Sequence, residues 1–545
     1  MTTNANRGGV DSPADVLIVG AGPAGAVAAA YLSEKGVKVV CLEQGDWTNP
    51  SDYPGDKPEW ELIAQKTWNP NPNVRGRDAD YPCDTTESDV NPLMFAGVGG
   101  STILYAAHWL RFLPSDFRVR SLDDVADDWP FTYEDLLPYY ERIDQVVGTA
   151  GVGGDPAYPP GVPPPLPPHP ITAIGRTVAA GMNKLGWHWW PAPQAIPTRD
   201  YGNLKACVRY GTCMSGCPNG SKASFDLTFW PSALKYGTRL VTGARVKEVT
   251  VNGDGLATGA VYVDRNGSEH HQAAGVVILA ANGVGTPRLL LLSKSNRFPD
   301  GLANSSGMVG KRLMMHPFGS VTGIFDEPFV SWLGPFGQYI QSLEFYETDS
   351  SRGFVRGAKW GLMPTGGPLG AAMSPFFGET PELDLNLHAN VRERLAHTVL
   401  WGIIAEDLPS ESNQVVIHES LTDSDGMPAP KIVYRNDDNS RRMVHYHLDR
   451  ARESLEAAGA KKTFSDAFIR DTGWHLLGTT TMGGDPAASV VDQYGRTHDV
   501  PNLYIYGGST FPTSSGVNPT ATISAVTLRS VEHLLKHARL QEVPV

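Results

Sequence analysis

Five cysteines in 545 residues (Cys41, Cys83, Cys207, Cys213 and Cys217) are too few, and odd in number, for a disulfide-stapled secreted scaffold. Excess positive charge is also missing. Lysine and arginine total 45 against 58 aspartate and glutamate, a net charge of −13. Such a chain is a poor general binder of nucleic acid or anionic lipid, because both require phosphate charge to be neutralised. No apolar run approaches the roughly 18 residues of a membrane span. Residues 1–15 carry neither the basic, apolar and small-residue succession of a signal peptide nor paired arginines, so the expected localisation is cytoplasmic. Export with a leader-bearing partner subunit is the alternative. Glycine (58) and proline (43) are plentiful, which places much of the chain in turns and long shaped loops. With 41% hydrophobic and 19% charged residues, the composition is globular, and the length implies two to four domain-sized units.

The first organised segment, residues 15–19, is a short apolar run of the kind that forms a strand buried on both faces. Gly20-Ala21-Gly22-Pro23-Ala24-Gly25 follows at once, then an alanine-rich stretch to Lys35 that reads as a helix stopped by Gly36. A second apolar run, 37–42, ends in Glu43. Strand, glycine turn, helix, strand and acid in this register predict dinucleotide binding. Gly20 permits the tight turn, Gly22 lets backbone approach a pyrophosphate, and Gly25 lets the helix pack closely, with its positive end toward the phosphate. Glu43 is expected to accept from the adenosine ribose hydroxyls and to disfavour a 2′-phosphate. A second glycine strand-end, Tyr506-Gly507-Gly508-Ser509, precedes a helix beginning near Thr520. That is a second cradle, and it favours FAD over NAD, which stays as an alternative.

Other elements follow from pattern. Residues 46–91 read as loops, 133–147 as an amphipathic helix, and 155–170 as an extended proline-rich connector. Asn252-Gly253 and Asp254-Gly255 mark a hairpin within 240–263, and 275–280 is a further buried strand. Alternation across 321–435, including 415–417 and 431–434, predicts one antiparallel sheet. Asp437, Asp438 and Asn439 offer capping oxygens to a helix over 440–458, and a last helix spans 520–540.

Four segments together resemble the glucose–methanol–choline (GMC) family of FAD oxidoreductases: the fingerprint, Gly97-Val98-Gly99-Gly100-Ser101-Thr102, 475–483 from His475 to Gly483, and 506–522. The likeness is nearest to the branch of bacterial sugar and polyol dehydrogenases and pyranose or glycoside oxidases. Residues 110–116, 303–306, Met315-His316-Pro317 and 213–220 echo that branch. The resemblance implies an α/β fold: a Rossmann-like FAD domain from 15–45, 92–115, 205–320 and 466–545. A substrate domain on an antiparallel sheet would come from 46–91, 116–204 and 321–465, with residues 1–14 flexible. It implies that His475 and Asn518 are the catalytic pair, and that the cofactor meets Gly97, Gly99, Gly100, Ser101, Thr102, Val246, Gly508, Ser509, Asn518, Pro519 and Thr520 besides Gly20, Gly22, Gly25 and Glu43. A neutral imidazole takes the hydroxyl proton near pH 7, an amide donates to the oxygen as charge develops, and flavin N5 accepts the hydride.

Departures from the family pattern shape further expectations. Leu104 stands where several relatives attach flavin through a histidine, and His108 lies out of register, so FAD is expected without a covalent bond. Cys207 precedes Val208 and not a second cysteine, so the thiolate set of a three-iron cluster is short by one. No metal site is expected, the three cysteines reading as a loop with free thiols or one incidental disulfide. His316 reads as structural. His445 and His447 point apart on their helix, His270 and His271 read as solvated, and Trp187, Trp189 and Trp190 serve either core packing or a sugar face. The expected activity is oxidation of a CH–OH group on a sugar, glycoside or polyol, with oxygen, a quinone or a cytochrome subunit as acceptor. A flavin-containing lyase, or a flavin-binding subunit of an electron-transfer complex, is the alternative.

Overall fold

The computed structural model describes residues 12–330, 332–335, 339–373 and 385–538. The expected flexible segment 1–14 and the end of the last helix therefore fall largely or partly outside the described residues. A seven-stranded sheet organises the first half of the fold. Ala14–Val19 is central, paired in parallel with Val39–Glu43 on one side and Glu269–Leu279 on the other. Arg239–Thr242 extends one edge, also in parallel. Val16, Leu17 and Ile18 are fully buried at the centre of the sheet, which is why the run is apolar throughout and not alternating.

The long strand Glu269–Leu279 serves two neighbourhoods. Its first half pairs antiparallel with Ala257–Val263, which forms a hairpin with Arg245–Val251 across the Asn252–Gly255 turn. Its last residues pair in parallel with Leu503–Ile505, brought back from near the chain's other end. The glycine strand-ends at Gly20 and Gly507 thus lie on the same side of one sheet, two strands apart, each followed by a helix: Pro23–Glu34 and Thr520–His537. These helices pack against each other, and the first also packs on Phe225–Lys235.

A six-stranded antiparallel sheet forms the second layer, in the order Lys462–Asp466, Phe318–Ile324, Thr398–Ala405, Ala358–Met363, Ile340–Ser342, Trp190–Pro191. Helix Asp438–Ala457, capped as expected by the Asp437 carboxylate accepting from Ser440 N, lies across it with Ala173–Leu185. The strands 415–417 and 431–434 do not join this sheet. They lie within Gln414–Thr422 and Pro428–Tyr434, a separate three-stranded sheet completed by Asp84–Ser88. Alternation marks a strand but not its partner. Here Val415, Ile432 and Tyr434 bury against Tyr81, Val284 and Leu313, a core of their own. Trp187 and Trp189 pack on the second sheet's core, and Trp190 donates to the Val152 carbonyl.

Candidate active site

One continuous cavity runs from the end of Val39–Glu43 to the meeting of the two large sheets, and it is walled by residues from all parts of the chain. Of the expected cofactor residues, Gly20, Gly22, Glu43, Gly100, Ser101, Thr102, Val246, Gly508, Asn518, Pro519 and Thr520 line it. Gly25, Gly97, Gly99 and Ser509 lie behind its wall. A Cβ on Gly25 would overlap the Gly20 carbonyl oxygen, and one on Gly99 would come within 3.0 Å of Asp226 N. Ser509 contributes its carbonyl to Thr480 N. These four shape the cradle without facing it.

The cradle fits an FAD. Both helices that open onto it, Pro23–Glu34 and Thr520–His537, lack a capping side chain and have no acidic residue in the first turn. Their N-terminal amides and positive dipole ends are left for an anion. A Cβ on Gly22 would meet nothing closer than Gly100 Cα at 3.8 Å, so the protein leaves that space open. Glu43, whose carboxyl burial holds above the usual range, accepts from Ala21 N at 2.8 Å and Gly45 N at 2.9 Å, which fixes it at the cavity rim. Leu104 also lines the cavity and offers no nucleophilic atom for a covalent link.

At the far end, His475 and Asn518 lie together although 43 positions apart: Asn518 Nδ2 is 3.3 Å from His475 Nε2. The structure adds a partner behind each. His316 Nδ1 is 2.6 Å from His475 Nδ1, and His316 Nε2 reaches the Ser514 carbonyl at 3.2 Å. Lys359 Nζ is 2.7 Å from Asn518 Oδ1. The protons then follow in order. A carbonyl only accepts, so His316 carries its proton on Nε2 and has a bare Nδ1. His475 must therefore donate from Nδ1, which leaves its Nε2 lone pair as the basic atom at the cavity. Asn518 donates to that nitrogen from Nδ2, and its Oδ1 accepts from Lys359.

Burial pushes the His316 imidazole down to about 4. Burial, helped by His316, Lys359 and His108, holds His475 well below the ordinary histidine range, so both rings are neutral at pH 7. The supporting loops are fixed by a buried polar scaffold. Asp407, whose carboxyl burial raises to about 7, accepts from Met315 N and Tyr434 Oη, and its own N–H donates to Ser514 Oγ. Arg356 bonds Asp116 and Glu406; Tyr346 Oη donates to Asp116 and accepts from Gly516 N at 2.8 Å.

Sequence reading missed three members of this constellation. His316, read as structural, touches the candidate base directly. His108, set aside as out of register, lies 3.2 Å from Asn518 Oδ1. Lys359 sits in Ala358–Met363, where all six residues are buried. Its signal was a lone lysine in an otherwise apolar run, legible only once both sheet faces are known to be covered. Trp187, Trp189 and Trp190 are not among the lining residues. Cys207, Cys213 and Cys217 lie in one loop and join no disulfide, and no metal-binding cluster occurs among the described residues. Among the same residues, no helix is long and apolar enough to cross a membrane.

Two family models described as GMC oxidoreductase match residues 14–318 and 409–527. The chain is 38% identical to a 2-methyl-1,2-propanediol dehydrogenase from Mycolicibacterium austroafricanum, over 98% of this chain and 96% of the relative. It is 29% identical to a fructose dehydrogenase large subunit from Gluconobacter japonicus, over 96% and 98%. The crystal structure of pyridoxine 4-oxidase from Mesorbium loti shares the fold, with a TM-score of 0.67 and 20% identity over 96% of this chain and all of that one.

Proposed function

The chain belongs to the GMC oxidoreductase family, whose members bind FAD and oxidise alcohol groups, and on that premise we propose that it oxidises a CH–OH carbon of a small polyol with His475 as the base. The observation that carries the reading is the directed chain Ser514 O, His316, His475, Asn518, which leaves a neutral Nε2 and an amide donor side by side at the cavity. The substrate hydroxyl gives its proton to His475 Nε2, while Asn518 Nδ2 donates to the oxygen as negative charge builds on it. FAD, when bound without a covalent link in the cradle, supplies the acceptor for the hydrogen leaving carbon with its electron pair. His316 receives the other His475 proton as a hydrogen bond and so keeps the ring in its basic tautomer.

The chamber beside His475 argues for the substrate class. Phe318, Met363, Ile404 and Trp474 wall it. Thr472, which also lines the cavity, spends its hydroxyl on the Ile469 carbonyl. Trp474 Nε1 is buried and meets no acceptor among the described residues. Among the described residues, one open donor and three apolar walls suit a short diol with an alkyl substituent. A sugar would press several hydroxyls against Phe318, Met363 and Ile404, each unpaired group costing about 1–3 kcal/mol. The dehydrogenase of a branched diol among the relatives agrees with this reading.

The test is an anaerobic panel of 2-methyl-1,2-propanediol, 1,2-propanediol, sorbitol, gluconate and fructose against the FAD-loaded protein, followed by flavin absorbance. Bleaching is expected, fastest with the diols. Turnover with the flavin left oxidised would make the protein a lyase, and faster bleaching by the sugars would refute the apolar-chamber argument. His475→Ala is expected to retain FAD and to bleach roughly 10²–10⁴-fold more slowly; an equal rate removes His475 from the mechanism.

A further inference from the structure

Lys359 is a buried amine with no counter-ion among the described residues. It shows 0% exposure, and among the described residues it pairs with no carboxylate. Its Nζ has two near partners: Asn518 Oδ1 at 2.7 Å and His108 Nδ1 at 3.4 Å. Burying an ammonium with so little compensation is unfavourable, and an apolar residue of similar length would fill the same space without that cost. The lysine is not among the cavity-lining residues, so it stands behind Asn518 and not against a substrate. Its backbone is tied to the same turn, with Lys359 N donating to Gly516 O at 3.2 Å. Strand Ala358–Met363 and the Asn518 turn are therefore held as one unit.

A carboxamide has two orientations of nearly equal shape, and only one is useful here. With Nδ2 toward His475, the amide meets the lone pair of Nε2 and offers a donor to an oxygen gaining negative charge. Flipped, it would set oxygen against both. Burial holds the Lys359 amine well below the ordinary lysine range; in either charge state it carries more N–H donors than lone pairs, so it favours Oδ1 over Nδ2. We propose that Lys359 is a positioning residue that locks the Asn518 amide with Oδ1 turned into the protein and Nδ2 turned to the reacting centre. The proposal rests on the role given to Asn518 above. His108 Nδ1 lies 3.2 Å from Oδ1 and 3.4 Å from Lys359 Nζ; it donates to the amide in one tautomer or accepts from the lysine in the other, never both at once.

The experiment is a double-mutant cycle of Lys359→Met and Asn518→Ala, read in the FAD-loaded protein as the anaerobic rate of flavin bleaching by 2-methyl-1,2-propanediol per bound FAD. Lys359→Met is expected to slow bleaching about 10–100-fold in the parent, part of what losing an oriented donor costs. In the Asn518→Ala background it should slow bleaching less than about 3-fold, because the group it acts through is gone. FAD content should stay unchanged. Equal slowing in both backgrounds, or none in either, overturns the proposal. Urea midpoints of the same four proteins give a readout independent of turnover: coupling between the two substitutions is expected, and additivity refutes the tie. If the parent is not bleached by this diol, the substrate reading fails while the urea cycle still tests the lysine. Should Lys359→Met not fold, Lys359→Gln enters the same cycle with the same two outcomes.

Discussion

Replacing His316 by leucine tests the tautomer argument most directly. The wild-type ring is bonded on both nitrogens, to His475 Nδ1 at 2.6 Å and to the Ser514 carbonyl at 3.2 Å. In His316→Leu the His475 ring loses the acceptor that holds its proton on Nδ1. Either tautomer then leaves one buried imidazole nitrogen without its protein partner, at a cost of about 1–3 kcal/mol. The preference for the basic form falls by the worth of one hydrogen bond, roughly 0.5–1.5 kcal/mol, and a ring no longer held in plane adds to the loss. Together these predict flavin reduction about 10–100-fold slower, with FAD retained. His316→Gln separates tautomer control from packing. Its Nε2 donates to Ser514 O while Oε1 accepts from His475, so the order of protons is preserved and the rate should stay within about 5-fold of wild type. Position 316 has φ +60°, so both variants bear a similar backbone cost and their difference isolates the hydrogen bonds. Stopped-flow absorbance of the flavin under anaerobic conditions measures both. Wild-type rates in His316→Leu would refute the reasoning, as would equal losses in the two variants.

Because the fold holds His475 well below the ordinary histidine range, the flavin-reduction rate should stay flat from pH 8 to 6. A free imidazole would be about three-quarters protonated at pH 6, and an apparent pKa near 6.5 would contradict the site's electrostatics. Gly22→Ala should fold with an unchanged Tm, since its Cβ meets only Gly100 Cα at 3.8 Å, yet bind FAD at least about tenfold more weakly because the methyl occupies the phosphate approach; equilibrium binding followed by flavin fluorescence decides. Gly25→Ala should lose stability as well as FAD, the new Cβ striking the Gly20 carbonyl, and a normal urea midpoint would refute that. His447 accepts from Trp360 Nε1 at 2.9 Å and is pushed down to about 3 by burial. Below pH 6.5 the unfolded chain gains a proton there that the folded chain refuses, so acidification destabilises the fold through this group. Relative to His447→Gln, wild type should lose roughly 2 kcal/mol between pH 7 and 5, measured by urea unfolding at both values.

Local pattern determined much of this protein. The buried strand at 14–19, the glycine turn, helix 133–147 and the Asp437-capped helix are each written in a few neighbouring residues, because backbone conformation and burial on both faces constrain composition locally. The motifs around His475 and Asn518 were legible for the same reason. Partners across the chain were not. Alternation at 415–417 and 431–434 marked strands, yet only the competing cores decided that they join Asp84–Ser88 and not the large antiparallel sheet. His316, His108 and Lys359 come from segments up to 251 positions apart, and each is an ordinary residue in its own neighbourhood. What makes them a site is that two sheets meet and bring them within hydrogen-bond reach of one another, so the direction of each proton is set by a neighbour the linear sequence does not place there.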